Sequence, residues 1–232
     1  MYTVQQLEKV WYSVKYKEDR YWAFLTSSGS WRHTDSATSP KKTFDDFEQF
    51  YKYVDSIQAQ DIHAKMLIDG SREWVIDVDH DEHDEDKIEL KNMIAHSTLK
   101  TFFGENCTKI LYSGNRGLHV WLHCDEFDLK SNQKLRTYYY DTMLKPAKSI
   151  NKIFIQQNSL NDCFLKSFQN TWIVRNVVKF YPKMDLNNID CLYKTFFPYI
   201  DKQIFVTNKQ IRAPYSYNSK GNKYSCDHIL LY

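Results

Sequence analysis

The stretch Trp74-Val75-Ile76-Asp77-Val78-Asp79 carries two carboxylates at alternate positions in an otherwise apolar run. Side chains alternate across a strand, so Asp77 and Asp79 share one face. Their mutual repulsion calls either for solvent or for a divalent cation, whose preferred ligands are oxygens. The strand runs into the acidic segment His80-Asp81-Glu82-His83-Asp84-Glu85-Asp86, and a solvated strand end is an equal reading of the pair taken alone. The His and Asp side chains of that run read as solvent-exposed charge. A second segment, Ser113-Gly114-Asn115-Arg116-Gly117, joins two short hydrophobic runs, the later one carrying His119. Two glycines let a backbone approach a ligand, Arg116 offers a guanidinium fork, and Ser113 and His119 add donors, a set that suits a triphosphate. The alternative is a tight turn with a surface Arg and a core His. A third segment adds Asp201 within the strand-like Tyr199 to Thr207, then Asn208 to Gly221, where Lys209, Arg212 and Lys220 are interspersed with Tyr215 and Tyr217. Such alternation can hold phosphates and stack on bases, or be solvated surface.

The elements that must position these residues follow from periodicity. Leu7, Val10, Trp11 and Val14 predict a helix over Val4 to Tyr16, and the strands Tyr21 to Thr26 and Ser30 to Thr34 flank a Ser-Ser-Gly turn. After a polar loop over Asp35 to Lys42, Thr43 can cap a helix running to Val54. Strands are expected over Ile62 to Ile68 and Glu73 to Asp79 with a turn at Asp69-Gly70, then a polar helix from Glu85 to Phe103 ended by Gly104. Lys109 to Tyr112 and Leu118 to His123 read as strands, and Leu129 to Phe197 as mostly helical with breaks near Pro146, Pro182 and Pro198. No repeat, low-complexity tract or long linker is present, so the chain reads as one domain over 1–232, an N-terminal elaboration over 1–70 leading into the sheet and helices of 71–232.

Composition narrows the class. The 232 residues are 42% hydrophobic, and 31 basic side chains against 29 acidic give a net charge of +2, so any polyanion contact must be a local patch. No apolar run approaches the roughly 20 residues of a membrane helix, and Met1 to Gln6 lacks the order of a secretory signal, which predicts a soluble intracellular protein. Cys107, Cys124, Cys163, Cys191 and Cys226 are odd in number with no Cys-x-x-Cys pair, the usage of reduced thiols.

The order of the three segments resembles the archaeo-eukaryotic primase superfamily, most closely its baculovirus members, over nearly the whole chain. The blocks that carry the resemblance are Arg72-Glu73-Trp74-Val75-Ile76-Asp77-Val78-Asp79, Gly114-Asn115-Arg116-Gly117-Leu118-His119-Val120-Trp121-Leu122, and Asn208-Lys209-Gln210-Ile211-Arg212-Ala213-Pro214-Tyr215-Ser216-Tyr217-Asn218. It implies an α+β fold, with the primase catalytic core of a twisted, RNA-recognition-like sheet and packed helices behind a helix-and-hairpin elaboration. It implies a DNA primase catalytic subunit that makes short RNA primers from ribonucleoside triphosphates on single-stranded DNA during viral replication in the host nucleus, together with a second primase subunit. Asp77, Asp79 and Asp201 fall at the family's positions for Mg²⁺ or Mn²⁺. Ser113, Arg116 and His119 fall where the family contacts the nucleotide's phosphates, Arg212 is expected to bind them too, and Lys220 and Lys209 are weaker contacts to nucleotide or template. Arg212 stands where cellular primases usually have Lys and Asn218 where they tend to have His, and their cysteine-rich zinc element is not recognisable. A metal-dependent phosphodiesterase and a non-catalytic single-strand-binding subunit are the alternatives.

Overall fold

The computed structural model describes residues 2–147, 150 and 152–232; the helical expectation at 148, 149 and 151 lies outside them. Helix α1 (Val4–Ser13) starts with a capping box, Thr3 Oγ1 accepting from the Gln6 N–H at 3.2 Å while Gln6 Oε1 accepts from the Thr3 N–H at 2.8 Å. It packs with α2 (Phe47–Ser56) on one face of a sheet built from β1 (Arg20–Thr26), β2 (Trp31–His33), β3 (Ala59–Leu67) and β7 (Ile211–Arg212). The sheet order is β2-β1-β3-β7, every pair antiparallel. Trp22, Phe24, Ile62 and Ala64 point to the helices and meet Trp11 and Phe50. By alternation Ala23, His33, His63 and Arg212, which are register partners across the strands, look the other way. The cap of α2 is Asp46, not Thr43: its carboxylate accepts from the Gln49 N–H at 2.8 Å, three residues closer to the helix.

The second sheet has the order β10-β5-β6-β4, from β4 (Val75–Val78), β5 (Cys107–Tyr112), β6 (Leu118–Leu122) and β10 (Cys226–Asp227). Behind it lies α3 (Glu85–Phe103), whose Ala95, Leu99 and Phe103 meet Ile76, Val78 and Val120. The expectation of a polar helix fails here. The opposite side of α3 is covered by α5 (Leu160–Ser167), α6 (Thr171–Phe180) and α7 (Ile189–Phe196), so Leu90, Met93 and Ile94 are also buried. Asn92 Oδ1 lies 3.1 Å from His80 Nε2, though Asn92 Nδ2 is left without a partner, and Thr98 Oγ1 donates to the Ile94 carbonyl at 2.7 Å. His80 is therefore buried rather than solvated, and burial lowers its pKa to about 4. The helical stretch breaks at its prolines as expected, α6 and α7 each ending two residues before one. Between them and β6 stand α4 (Gln133–Tyr139) and a π-helical turn over Tyr140–Leu144.

The two sheets meet at Ser71 to Trp74, all buried. Arg72 donates to the carbonyls of Ile204, at 2.5 Å, and Lys209, while Arg136 donates to the carbonyls of Arg72 and Glu73 and stacks on Trp74. Glu73 pairs with Arg20 of β1 at 2.5 Å. Burial, then the neighbouring Arg136, lowers the Arg72 pKa to about 9, with Glu73 opposing. Arg72→Met should destabilise the protein by about 2–4 kcal/mol, since three charged-donor bonds, the third to the Glu73 carbonyl, are lost while repulsion among the arginines is relieved. Urea unfolding measures it, and an unchanged midpoint would show that Arg72 contributes nothing net.

Candidate active site

Strand β4 delivers Asp77 and Asp79 to the end of the second sheet. Asp77 is the register partner of His119 on β6, and Val78 forms an isolated bridge to Ile200. That bridge is the only part of Tyr199 to Thr207 that pairs as a strand among the described residues; the remainder forms the short helix α8 (Lys202–Val206). Asp201 is thus a helix cap rather than a strand residue. Its backbone N–H donates to the Asp77 carbonyl at 2.9 Å, and its Oδ1 accepts from the N–H groups of Gln203 and Ile204 at 2.7 and 3.3 Å. The competing principle is local: an Asp two or three residues before free N–H groups caps them.

Asp77, Asp79, Ser113, His119, Arg212 and Lys220 line one open cleft of about 240 Å³, together with His63, Asn115 and Asn218. Asp201 and Arg116 do not line it. Arg116 reaches in from a neighbouring cleft and pairs with Asp79, Nη2 to Oδ2 at 3.2 Å. Arg212 is engaged with Asp61 at 2.9 Å, and Asp61 also accepts from the Ser219 N–H at 3.1 Å, which pins the basic C-terminal segment to β3. Lys220 is exposed, with no ion-pair partner among the described residues. Lys209 lies outside the cleft, its Nζ donating to Gln203 Oε1 and its carbonyl held by Arg72.

The Ser113 to Gly117 turn is closed from within, the Ser113 N–H donating to the Gly117 carbonyl at 2.8 Å and Ser113 Oγ accepting from the Gly117 N–H at 3.2 Å. Asn218 ties it to the C-terminal hairpin of β8 (Tyr217–Asn218) and β9 (Lys223–Tyr224): its Nδ2 donates to the Ser113 carbonyl at 3.0 Å and its Oδ1 accepts from the Lys220 N–H at 3.1 Å. A Cβ on Gly117 would sit 1.7 Å from the Val78 carbonyl oxygen, between the two carboxylates of β4. Gly117→Ala must therefore push β4 away, and we expect the activity that this cleft supports to fall at least about 100-fold with a lowered melting temperature. A variant with full activity would show that the turn and β4 are not tightly coupled.

Burial, then Asp201, then Asp79, raise the Asp77 pKa to about 7, against the opposing effect of Arg212. Burial and then Arg212 lower that of His119 to about 3. His119 is therefore neutral near pH 7, and its Nε2, 3.5 Å from Asp77 Oδ1, does not neutralise the carboxylate. A carboxylate whose pKa is raised by two neighbouring carboxylates belongs to a donor set whose chemistry fits a hard divalent cation. As the side chains stand, no three His, Cys, Asp or Glu among the described residues converge on one metal position, because Asp201 Oδ1 caps α8 and Asp79 is shared with Arg116 and the His80 N–H. All five cysteines are free thiols.

Sequence reasoning missed Asp61, His63 and Asn115. The first two were legible in principle: Asp61 and His63 alternate with Ile62 and Ala64, a polar face on a strand whose other face is core.

A family model described as DNA primase small subunit matches residues 76–227, a span that holds the three aspartates, the Ser113 to Gly117 turn and Arg212. The chain is 38% identical to a DNA primase of Autographa californica nuclear polyhedrosis virus over 233 residues, covering 97% of this chain and 80% of that one. It is 32% identical to Late expression factor 1 of Orgyia pseudotsugata multicapsid polyhedrosis virus over 230 residues, covering 97% and 86%. With a matched region that contains the carboxylate strand, the Ser113 to Gly117 turn and the basic segment around one cleft, this chain belongs to the DNA primase small-subunit family.

Proposed function

We infer that this chain is the catalytic subunit of a viral DNA primase, joining ribonucleoside triphosphates into short primers on single-stranded DNA. The observation that carries the reading is that Asp77 and Asp79 open onto the same cleft as His119, Arg212 and Lys220, so acidic and basic groups line one space. Asp77, Asp79 and Asp201 are the residues that would hold Mg²⁺ or Mn²⁺; when bound, such ions activate the attacking hydroxyl and neutralise the triphosphate. The chain's own side chains position the substrate. Arg212 and Lys220 supply charge to the phosphates, Arg116 is released to them from Asp79, and neutral His119 donates one hydrogen bond without adding charge. Ser113 shapes the turn and offers its hydroxyl, while Asn218 holds that turn to the C-terminal hairpin.

The resemblance also supports a twisted primase core in which the cleft lies between the sheets, a second subunit (late expression factor two in baculoviruses) and action in the host nucleus. No helix among the described residues is long and apolar enough to cross a membrane. The test is unprimed synthesis on single-stranded DNA with labelled ribonucleotides and Mg²⁺ or Mn²⁺, with and without the second subunit. Short RNA products confirm the reading. Degradation of labelled nucleic acid without triphosphate consumption would indicate a phosphodiesterase instead, and strand binding without either reaction a binding subunit.

A further inference from the structure

His63 sits on β3, opposite Arg212 of β7 and Ala23 of β1, and lines the cleft beside Asp77, His119 and Arg212. Both of its ring nitrogens are shielded from solvent and neither has a hydrogen-bond partner. Such atoms are costly and rare in folded proteins, and two on one ring at the wall of a binding cleft call for a ligand. Burial, then Arg212, hold the imidazole well below the usual histidine range. A neutral ring has one nitrogen that donates and one that accepts. Phosphate oxygens only accept, so they satisfy half of it at best, whereas a hydroxyl both donates and accepts.

Its place in the fold says which hydroxyl. Neighbouring strands lie about 4.8 Å apart, so the ring stands one strand spacing from Arg212. In a nucleoside triphosphate the sugar follows the phosphates at similar range. Past His63 comes Trp31 of the edge strand β2, its indole edge-on to the imidazole with ring centroids 5.0 Å apart and 42% of its surface exposed. The order Arg212, His63, Trp31 across the open sheet face thus follows the order phosphate, ribose, base.

We propose that His63 reads the ribose of the incoming nucleotide, pairing with its 2′-hydroxyl and so setting the preference for ribo- over deoxyribonucleoside triphosphates. The inference rests on the primase reading for its substrate class. Trp31 is the neighbour that must shift for the hydroxyl to enter, and its exposed edge-strand position leaves room for that.

The test compares wild type with His63→Phe and His63→Gln in the assembled primase, measuring kcat and KM for ribo- and deoxyribonucleotide addition to an RNA primer on a DNA template. Calorimetric binding of ATP and dATP with Mg²⁺ reads the same selectivity without turnover. His63→Phe should raise the ribonucleotide KM and Kd about 10-fold and leave the deoxyribonucleotide values within about twofold. His63→Gln, which keeps a donor and an acceptor, should retain most of the preference. Thermal melting controls for folding, which Phe should leave intact because it removes two unpaired polar atoms. Equal losses for both sugars, an unaltered preference, or a wild type indifferent to the sugar would each overturn the inference. A folded wild type that binds ATP over dATP through His63 yet makes no primer would sink the primase reading alone.

Discussion

Primer synthesis is expected to fall by on the order of 10³-fold or more in Asp77→Ala and, separately, in Asp79→Ala, with the fold intact. The physical reason is that these are the two carboxylates that β4 aims into the cleft, and no other acidic side chain among the described residues lines it. Asp201→Ala should also reduce synthesis, but it removes the cap of α8 as well, so its melting temperature should fall where that of Asp79→Ala, at an exposed position, should not. Gel analysis of labelled products and thermal melting of the same preparations separate the two effects. Asp79→Ala at wild-type activity would remove the carboxylate pair from the mechanism.

In metal-free buffer at pH 8, Asp77→Asn should be more stable to urea than wild type by about 2–4 kcal/mol, although it makes no primer. The sign follows from the raised pKa. Folded Asp77 titrates at about 7, while in the unfolded chain it titrates near the ordinary value of about 4. Between those two pH values the folded state holds a proton that the unfolded state has lost. Stability contributed by this group is therefore full below about pH 4, declines as pH rises through the folded pKa, and levels off above it. Asn cannot ionise, so the gain is largest at pH 8 and shrinks as the pH is lowered toward 4. Saturating Mg²⁺ or Mn²⁺ should reverse the comparison, stabilising wild type through its binding free energy and leaving the variant nearly unmoved. A gain independent of pH would mean that packing, not charge, drives it; a variant less stable than wild type at pH 8 would contradict the unfavourable burial of this carboxylate.

Much of the site was legible in the sequence because its elements are short and local. Alternation on β4 put Asp77 and Asp79 on one face, and the glycines of Ser113 to Gly117 marked a turn that only a residue without Cβ can close against Val78. Helix and strand positions were mostly read correctly from periodicity, since apolar spacing reports directly on which face an element buries. The errors arose where that rule has no purchase. Helix α3 looks polar because it carries Asn92 and Thr98 on buried positions, held by His80 and by the helix's own Ile94 carbonyl, and because it is covered on two sides rather than one. Tyr199 to Thr207 has strand-like composition, yet the capping carboxylate of Asp201 turns it into a helix after a single bridge.

The sequence by itself determined the family: three motif blocks in order, and a resemblance specific enough to state the reaction. Only the tertiary structure decided their arrangement. That Arg212 is paired with Asp61, that Arg116 is held by Asp79 outside the cleft, that Asn218 braces the turn through Ser113, and that His63 faces the site with nothing to bond are all consequences of contacts between residues 37 to 151 positions apart. Burial and field at such contacts, which moved Asp77 up and His119 down, depend on three-dimensional neighbours and have no counterpart in local pattern.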